Sequence, residues 1–382
     1  MKKKILPAIT LLTAGIFLSA CGSVKNEVSA AKQASSIPAA TASATPLTTA
    51  AATVTAAPAR KTASKPKNQE VSITISAAGD CTLGSDSKSP ASVNFYAKYK
   101  EKKNPAYFFK KVLPVFKKDD MTLVNFEGTL TTSTARAQKK YTFKGAPSYV
   151  NILKKGSIEA VALANNHIYD YGTKSYTDTK KYLSNAGIKY SSFGKTAVYR
   201  AKGKKIGMIS VCGLFGEAPS RQYIANGMKQ LKKKKCHLYI VSIHAGIEHT
   251  SVLNQMQKSL AHYAIDKGAS LVLGHHPHVL QGVEKYKGRY IAYSLGNFCF
   301  GGNTNPSDKD TMIFQQTFTF KKNKLTKKNP VKIIPCCISS TKVRNNYQPT
   351  ISKGKEKARI IQKMNRYSKP LGVTFCADGT AR

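Results

Sequence analysis

The 382-residue sequence has few acidic residues, no long apolar run and no internal repeat. Only 19 residues are acidic against 61 basic ones, which gives a formal net charge of +42 at pH 7. This surplus attracts polyanions at long range without identifying one. Nucleic acid, anionic lipid, a wall polymer and polyglutamate all qualify, and a solvated surface adapted to a habitat or to a cell wall is the alternative. The basic residues are not interleaved with stacking aromatics, so no specific nucleic acid is expected. The N-terminal apolar run, Ile5 to Leu18, is too short to cross a bilayer, which excludes a membrane span there.

The N-terminal 70 residues have the composition of an export signal followed by a linker. Lysines at 2–4 precede the apolar run and Leu18-Ser19-Ala20-Cys21 follows it, an order typical of a secretory signal. Because these last four residues resemble a bacterial lipobox, residues 1–20 are predicted to be a lipoprotein signal peptide. Cys21 would then carry the lipid that anchors the chain to the outer face of the cell membrane; a plain signal peptide is the alternative. Residues 21–70, rich in alanine, threonine, serine and proline, are expected to form a disordered tether.

From Val71 onward, short apolar runs alternate with helical patterns. This alternation predicts an α/β domain over residues 71–382 with mostly parallel central strands. The expected strands are 71–79, 120–127, 158–163, 205–211, 237–243, 271–273, 282–287, 289–294, 311–320 and 331–337. The expected helices are 104–117, 175–185 with Gly187 as a C-terminal cap, 221–233, 252–267 and 355–365.

Polar side chains of the kind that bind metal ions follow five of these strands. They are Asp80, Glu127, Asn166 with His167, His244, and His276 with His278. Because parallel strands that alternate with helices place their carboxyl ends along one sheet edge, these residues are expected to meet. Polar loop residues are the alternative, but three histidines at 275, 276 and 278 beside one strand favour a site. Oxygen and imidazole donors without a thiolate suit Zn, Mn or Fe in a hydrolytic site better than a closed structural zinc site.

Six motifs also carry a family resemblance: Gly79-Asp80, Val124-Asn125-Phe126-Glu127-Gly128, Ala164-Asn165-Asn166-His167, Ser242-Ile243-His244-Ala245-Gly246, Gly274-His275-His276-Pro277-His278-Val279 and Tyr293-Ser294-Leu295-Gly296-Asn297-Phe298. Their order resembles that of the bacterial capsule-synthesis protein CapA family, also called PgsA, most strongly over residues 72–305. That family is linked to poly-γ-glutamate capsule production and is a branch of the calcineurin-like metallophosphatase superfamily. The resemblance implies a four-layer α/β/β/α sandwich with mixed sheets, in which two sheets pack face to face and helices lie outside.

The resemblance also implies roles for individual residues. Divalent metal would be bound by Asp80, Glu127, Asn166, His244, His276 and His278. His167 would be catalytic, protonating a leaving group, while Asn125, Asn165, His275 and Asn297 would lie in a second shell or contact substrate. The sequence departs from the superfamily pattern at Thr82, where a histidine ligand is usual, and at Glu127, which replaces an aspartate. One ion, two ions or none are therefore alternatives.

Two classes of function follow. The first is a cell-surface, metal-dependent hydrolase or transferase in capsule or envelope polymer biosynthesis, alongside a membrane-bound polymer synthase. The second is a non-catalytic basic factor that binds or guides an anionic polymer such as poly-γ-glutamate; a phosphohydrolase unrelated to capsule is a further alternative. Besides Cys21 the chain has seven cysteines, an odd number, so at least one is unpaired. We expect mostly buried thiols, with Cys81 beside Asp80 as a further candidate for the site.

Overall fold

The computed structural model describes residues 70–382. The predicted signal peptide, Cys21 and all but the last residue of the tether lie outside the described residues. The strands are β1 (Val71–Thr82), β2 (Met121–Phe126), β3 (Thr129–Leu130), β4 (Lys144–Gly145), β5 (Ala160–Ala162), β6 (Lys189–Ser191), β7 (Ala197–Ala201), β8 (Lys204–Cys212), β9 (Leu238–His244), β10 (Leu271–His275), β11 (Val283–Tyr286), β12 (Arg289–Ala292), β13 (Asn297–Phe300), β14 (Asp310–Lys321), β15 (Lys324–Leu325), β16 (Val331–Cys337) and β17 (Thr350–Ile351). The helices are α1 (Phe95–Lys102), α2 (Leu113–Phe116), α3 (Val150–Lys155), α4 (Gly172–Asn185), α5 (Glu217–Lys233), α6 (Gln255–Asp266) and α7 (Gly354–Ser368).

The strands form two large mixed sheets and one small pair. The first sheet has the order β17-β16-β14-β1-β2-β5-β6, with β13 beside β1 and β15 beside β14. The second has the order β11-β12-β10-β9-β8-β7, and β3 pairs with β4. In both sheets the central strands are parallel, whereas β14 in the first and β7 and β11 in the second run antiparallel to their neighbours. The predicted α/β class with mixed sheets is confirmed.

The hydrophobic core has three parts, which define the layers. One cluster joins residues of both sheets, including Ile75 of β1 and Leu273 of β10, so the two sheets pack against each other. The other face of the first sheet carries Val124 against α1, α3 and α4, and the other face of the second carries Val241 against α5 and α6. Helices therefore cover the outer face of each sheet, and both sheets are buried on two sides, as their near-continuous apolar runs require.

Residues 104–117 do not form the predicted helix. They contain a 3₁₀ turn, Pro105–Tyr107, and the short helix α2. Pro114 lacks a backbone N–H and cannot continue a helix from the preceding turn, which explains the interruption. The helix of this region lies earlier, at α1, where the side chain of Asn94 accepts a hydrogen bond from the Ala97 N–H and caps the first turn.

The remaining expectations concern helix ends, thiols and membrane spans. Gly187, with a φ of 78°, follows α4 as predicted and lets the chain leave the helix in the left-handed conformation. The seven cysteines of residues 70–382 are all free thiols, five of them buried. Within the same residues no helix combines the length and apolar character that a membrane span needs.

Candidate metal centre

A β-bulge in β1 aims the first group of the site. Ala78 pairs with Val124 and Asp80 pairs with the very next residue of β2, Asn125, so Gly79 is an extra residue. A Cβ atom on Gly79 would lie 1.8 Å from the Gly296 carbonyl oxygen, and only glycine allows this approach. The turn before β13 therefore packs directly on β1, where the Asp80 N–H donates to Gly296 O at 2.9 Å. Bulges commonly redirect side chains next to active sites.

Asp80 is fully buried and surrounded by donors. Its Oδ1 accepts a hydrogen bond from Asn125 Nδ2 at 2.8 Å, and its Oδ2 lies 3.1 Å from His278 Nδ1. His275 Nδ1 lies 3.5 Å from Oδ1, and the backbone N–H of His276 donates to Oδ2 at 3.3 Å. Burial alone would raise the pKa of Asp80, but the neighbouring imidazoles of His275 and His278 hold it well below its usual range. Asp80 is therefore an anion inside the protein.

Glu127 lies at the centre of the site and has no hydrogen-bond partner for its carboxylate. It is fully buried, and neither oxygen is hydrogen-bonded to any described residue. Three imidazole Nε2 atoms surround its Oε1, at 3.7 Å for His244, 3.7 Å for His278 and 3.8 Å for His167. Burial raises the pKa of this carboxyl well above its ordinary value. A buried carboxylate with no donor is costly by itself, and a cation in this space would satisfy it.

His244, at the end of β9 in the second sheet, faces Glu127 across the gap between the sheets. Its Nε2 lies 2.9 Å from Asn166 Oδ1, and Asn125 Nδ2 donates to its Nδ1 at 3.2 Å. Burial holds the pKa of His244 well below its usual range, with the neighbouring His276 acting in the same direction. His244 is thus neutral near pH 7, which is the state that binds metals.

The histidine loop after β10 has a strained backbone. His276 and His278 have φ values of 99° and 59°, in a region that side-chain-bearing residues seldom adopt. Such strain is concentrated at functional sites, where the surrounding structure enforces it. Both side chains turn into the site, and the His276 and His244 ring centroids are 4.8 Å apart.

These two histidines differ in charge. Burial lowers the pKa of His276 to about 4. Burial would also lower that of His278, but the Glu127 and Asp80 carboxylates outweigh it and raise the pKa to about 9. His276 is therefore neutral at pH 7, whereas His278 carries a proton.

His167 belongs to a hydrogen-bonded network, and two members of that network, Asp170 and Lys139, were not predicted from the sequence. Its Nδ1 lies 2.7 Å from Asp170 Oδ2, which fixes a proton on Nδ1 and leaves Nε2 directed at Glu127. Lys139 forms an ion pair with Asp170 and donates to the Asn166 carbonyl at 2.8 Å. The ring of Phe143 stacks on that of His167, with centroids 4.2 Å apart. The spacing of Asp170, three residues after His167, was the available signal.

The other predicted residues support the centre. Asn165 donates to the Phe126 carbonyl at 2.8 Å and accepts from the His167 N–H at 3.0 Å, so it connects the segment after β5 to β2. Asn297 Oδ1 lies 2.9 Å from His278 Nδ1. Neither ring nitrogen of His275 has a hydrogen-bond partner among residues 70–382, and His275 does not belong to any of the ligand groups described below.

A cleft of about 410 Å³ opens on the centre from solvent. His167 and His278 line it, together with Tyr141, Phe300 and Glu248. Two residues of the centre are thus reachable from solvent although they are buried.

Residues 74–302 match the family described as bacterial capsule synthesis protein PGA_cap. The chain belongs to this family. Among curated proteins, it is 29% identical over 249 residues to the PGA biosynthesis protein CapA of Bacillus subtilis, covering 60% of this chain and 63% of that one. It is 30% identical over 254 residues to the capsule biosynthesis protein CapA of Bacillus anthracis, covering 60% of each chain. The match thus spans less than two thirds of these relatives.

A solved structure of a hypothetical protein from Thermus thermophilus aligns with 69% of this chain and 99% of its own, at 14% identity and a TM-score of 0.43.

In this PGA_cap family member, three groups of side chains could hold an ion, each with ligand atoms within 4.8 Å of one another. They are Glu127 with His244 and His276, Asp80 with Glu127 and His278, and Glu248 with His276 and His278. The first two share Glu127 and contain predicted residues only. The third includes Glu248, an exposed residue that was not predicted although it follows His244 by four positions. Thr82, where the resemblance described above implied a histidine, donates its hydroxyl to the Glu127 carbonyl at 2.7 Å.

Proposed function

We propose that this chain is a cell-surface lipoprotein of capsule or envelope polymer biosynthesis, and that it acts through a metal-dependent, metallophosphatase-like hydrolase site. Poly-γ-glutamate is the polymer that the family relationship favours, because relatives carry the names PGA and capsule biosynthesis protein. The two face-to-face sheets with helices outside agree with the sandwich expected of that superfamily.

The observation that carries the proposal is the unpartnered carboxylate of Glu127 among three imidazoles. Mixed oxygen and nitrogen donors suit Zn, Mn or Fe. His244 and His276 with Glu127 offer one position, supported by Asn166 Oδ1, which lies 2.9 Å from His244 Nε2. Asp80 and His278 with Glu127 offer a second position, so that Glu127 would be shared by two ions.

A bound divalent ion would polarise a substrate oxygen and lower the pKa of water in the site. The protein's own part is proton transfer and orientation. Asp170 fixes the proton of His167 on Nδ1, so Nε2 is the atom that would exchange a proton with a substrate group in the cleft that His167 lines. The basic chain, whose net charge of +42 would become +39 on loss of Lys2, Lys3 and Lys4 with the signal peptide, would concentrate a polycarboxylate near the cleft in a salt-dependent manner.

The second candidate is a non-catalytic factor that binds or guides the polymer, next to a membrane-bound synthase. The observation in its favour is that residue 82 is threonine and not the histidine that the resemblance implied. The ligand group of Asp80, Glu127 and His278 therefore has three members and no histidine from position 82. A phosphohydrolase that does not act on capsule shares the same ligand set, and the choice of substrate in the assay distinguishes it.

The experiment compares His276→Ala and His167→Ala with wild type. Metal per chain is measured by mass spectrometry, and hydrolysis of poly-γ-glutamate and of phosphate esters is measured in Mn and Zn. His276→Ala should lose metal and activity together, whereas His167→Ala should keep its metal and lose activity by roughly 10²- to 10⁴-fold. His237→Ala, which removes a histidine at the start of β9, is the matched control. Unchanged metal in His276→Ala would leave the polymer-binding alternative.

A further inference from the structure

The exposed apolar side chains of this protein are concentrated at one edge. Seven large apolar or aromatic residues are exposed in residues 70–382: Tyr141, Tyr169, Leu214, Phe215, Ile247, Val252 and Val343. We call them the apolar rim. Single exposed apolar residues are normal on a protein surface, so their position is the informative property.

Strand direction gives the position of each rim residue. Leu214 and Phe215 follow β8, and Ile247 and Val252 follow β9, at the edge of the second sheet where His244 ends β9. Tyr169 follows β5 beside His167, and Tyr141 lies in the connection from β3 to β4 that begins where β2 ends. Val343 follows β16, which runs parallel to β1 because both are antiparallel to β14. Every member therefore lies in a connection at the edge that carries the metal centre, and for Leu214 and Phe215 this connection is the 3₁₀ turn Gly213–Phe215.

The opposite edge is different. Its tight turns are Lys202-Gly203, Lys287-Gly288 and Lys322-Asn323, which connect β7 to β8, β11 to β12 and β14 to β15. These turns contain no large apolar residue. The contrast indicates that the site edge contacts something apolar and the opposite edge does not.

Charge at the rim is mainly positive. Lys140 precedes Tyr141, and Lys342 and Arg344 flank Val343; all three are exposed and make no ion pair within residues 70–382. Acidic side chains near the rim are mostly neutralised, by pairs of Asp86 with Arg136, Asp170 with Lys139, Glu217 with Arg221 and Asp308 with Lys363. Glu248, beside His249, is the exception.

We propose that the apolar rim docks the site edge on an anionic lipid bilayer. Exposed aromatic and aliphatic side chains on separate loops, interleaved with lysine and arginine, match an interface in which rings enter the acyl boundary and cations meet the headgroups. The loops come from both sheets, and the loops of Tyr141 and Ile247 contribute Tyr141 and Glu248 to the lining of the cleft, so docking turns the cleft toward the membrane surface. The apolar rim contains none of the residues in the three ligand groups, so docking does not require the proposed hydrolase activity.

The test uses the absence of tryptophan from the sequence. Three variants of the full chain each receive one tryptophan: Tyr141→Trp and Phe215→Trp in the rim, and Tyr286→Trp beside the turn at the opposite edge as the matched control. Each variant is mixed with phosphatidylcholine vesicles, either with or without phosphatidylglycerol. In both kinds of vesicle the phosphatidylcholine acyl chains carry bromine, which quenches tryptophan emission. The measurement is repeated with a chelator, so that its result is separate from that of the metal centre.

Both rim tryptophans should shift to shorter emission wavelength and lose most of their emission on vesicles containing phosphatidylglycerol, and the effect should weaken at high salt. The control tryptophan should keep its emission even when an N-terminal lipid attaches the same chain to the vesicle. Equal behaviour of the three probes, no quenching at the rim, or equal quenching without phosphatidylglycerol would each overturn the proposal. Unquenched rim probes would point instead to a protein partner.

Discussion

Replacing Glu127 by glutamine should stabilise the metal-free protein and reduce the stabilisation that a bound metal ion provides. The carboxylate is buried without a hydrogen-bond donor among residues 70–382, and burial raises its pKa well above the ordinary 4.5. A carboxyl whose pKa is higher in the folded than in the unfolded chain destabilises the fold as pH rises from the unfolded value to the folded one. The metal-free Glu127→Gln variant should therefore be more stable than metal-free wild type at neutral pH, and the difference should grow with pH over that interval.

Adding metal should stabilise wild type more than the Glu127→Gln variant. A cation that binds only the folded chain stabilises it by about 2.7 kcal/mol at one hundred times its Kd. Unfolding entropy is roughly 2.1 cal/mol/K per residue, so for a domain the size of residues 70–382 this gain raises Tm by about 4 °C. Glutamine offers no negative charge to the cation, so the variant should show much less of this rise.

Calorimetric melting after chelation, and again with Mn or Zn, measures both effects. Glu284→Gln is the matched control, since Glu284 bonds to His262 and Tyr293 outside the centre. It should show the same metal-induced rise in Tm as wild type. The reasoning fails if Glu127→Gln keeps the full rise, or if its metal-free form is less stable than wild type throughout the neutral to alkaline range.

Four further predictions follow from the same residues and from the N-terminal sequence. Because the pKa of His278 is raised to about 9, this imidazole is protonated at pH 7 in the metal-free site and a cation must displace the proton. The apparent affinity for the metal ion should therefore rise by about tenfold per pH unit up to that pKa. Titration calorimetry in two buffers measures the protons released on metal binding, and release of none would contradict this prediction. Asp170→Asn should reduce turnover by roughly 10- to 100-fold with metal content unchanged, and equal loss of metal would make Asp170 structural. Cys21→Ala should release the protein from membranes in cell fractionation, and retention would argue against the lipobox. Removing residues 1–70 should leave a soluble chain with one cooperative melt, because the apolar pattern begins at Val71; aggregation would contradict it.

The polar residues of the centre could be predicted because their signals are local. An apolar run and the polar residue that ends it lie within a few positions of each other, as at Leu273 and His275. The distribution of these residues between two sheets was less accessible. The expectation of one sheet edge was wrong, since Asp80 and Asn125 lie in the first sheet and His244 and His276 at the edge of the second. Sheet membership depends on pairing between distant segments, such as β1 with β14, which local periodicity does not contain.

Other parts required the three-dimensional structure for separate reasons. The bulge at Gly79 is a register shift, and only the partner strand reveals it. Lys139 approaches His167 from a connection with no regular periodicity, so no pattern pointed to it. Asn297 begins β13, a strand that is absent from the expected strands and that pairs with β1 at Asp80. The helix predicted over 104–117 was wrong, and the sequence contained a contrary signal in Pro114.

The direction of β1 determines how long the segment between an N-terminal anchor and the domain would have to be. The strand has 12 residues and runs from Val71 at the edge opposite the site to Asp80 and Thr82 at the site edge, a path of about 40 Å at 3.3 Å per residue. A chain fixed to a surface through the residues before Glu70 is thus joined to the far side of the domain. Residues 21–69 could span up to roughly 160 Å if fully extended, enough to pass around the domain. The length of that segment, more than its composition, would decide whether an anchored molecule can turn its cleft toward the membrane that holds it.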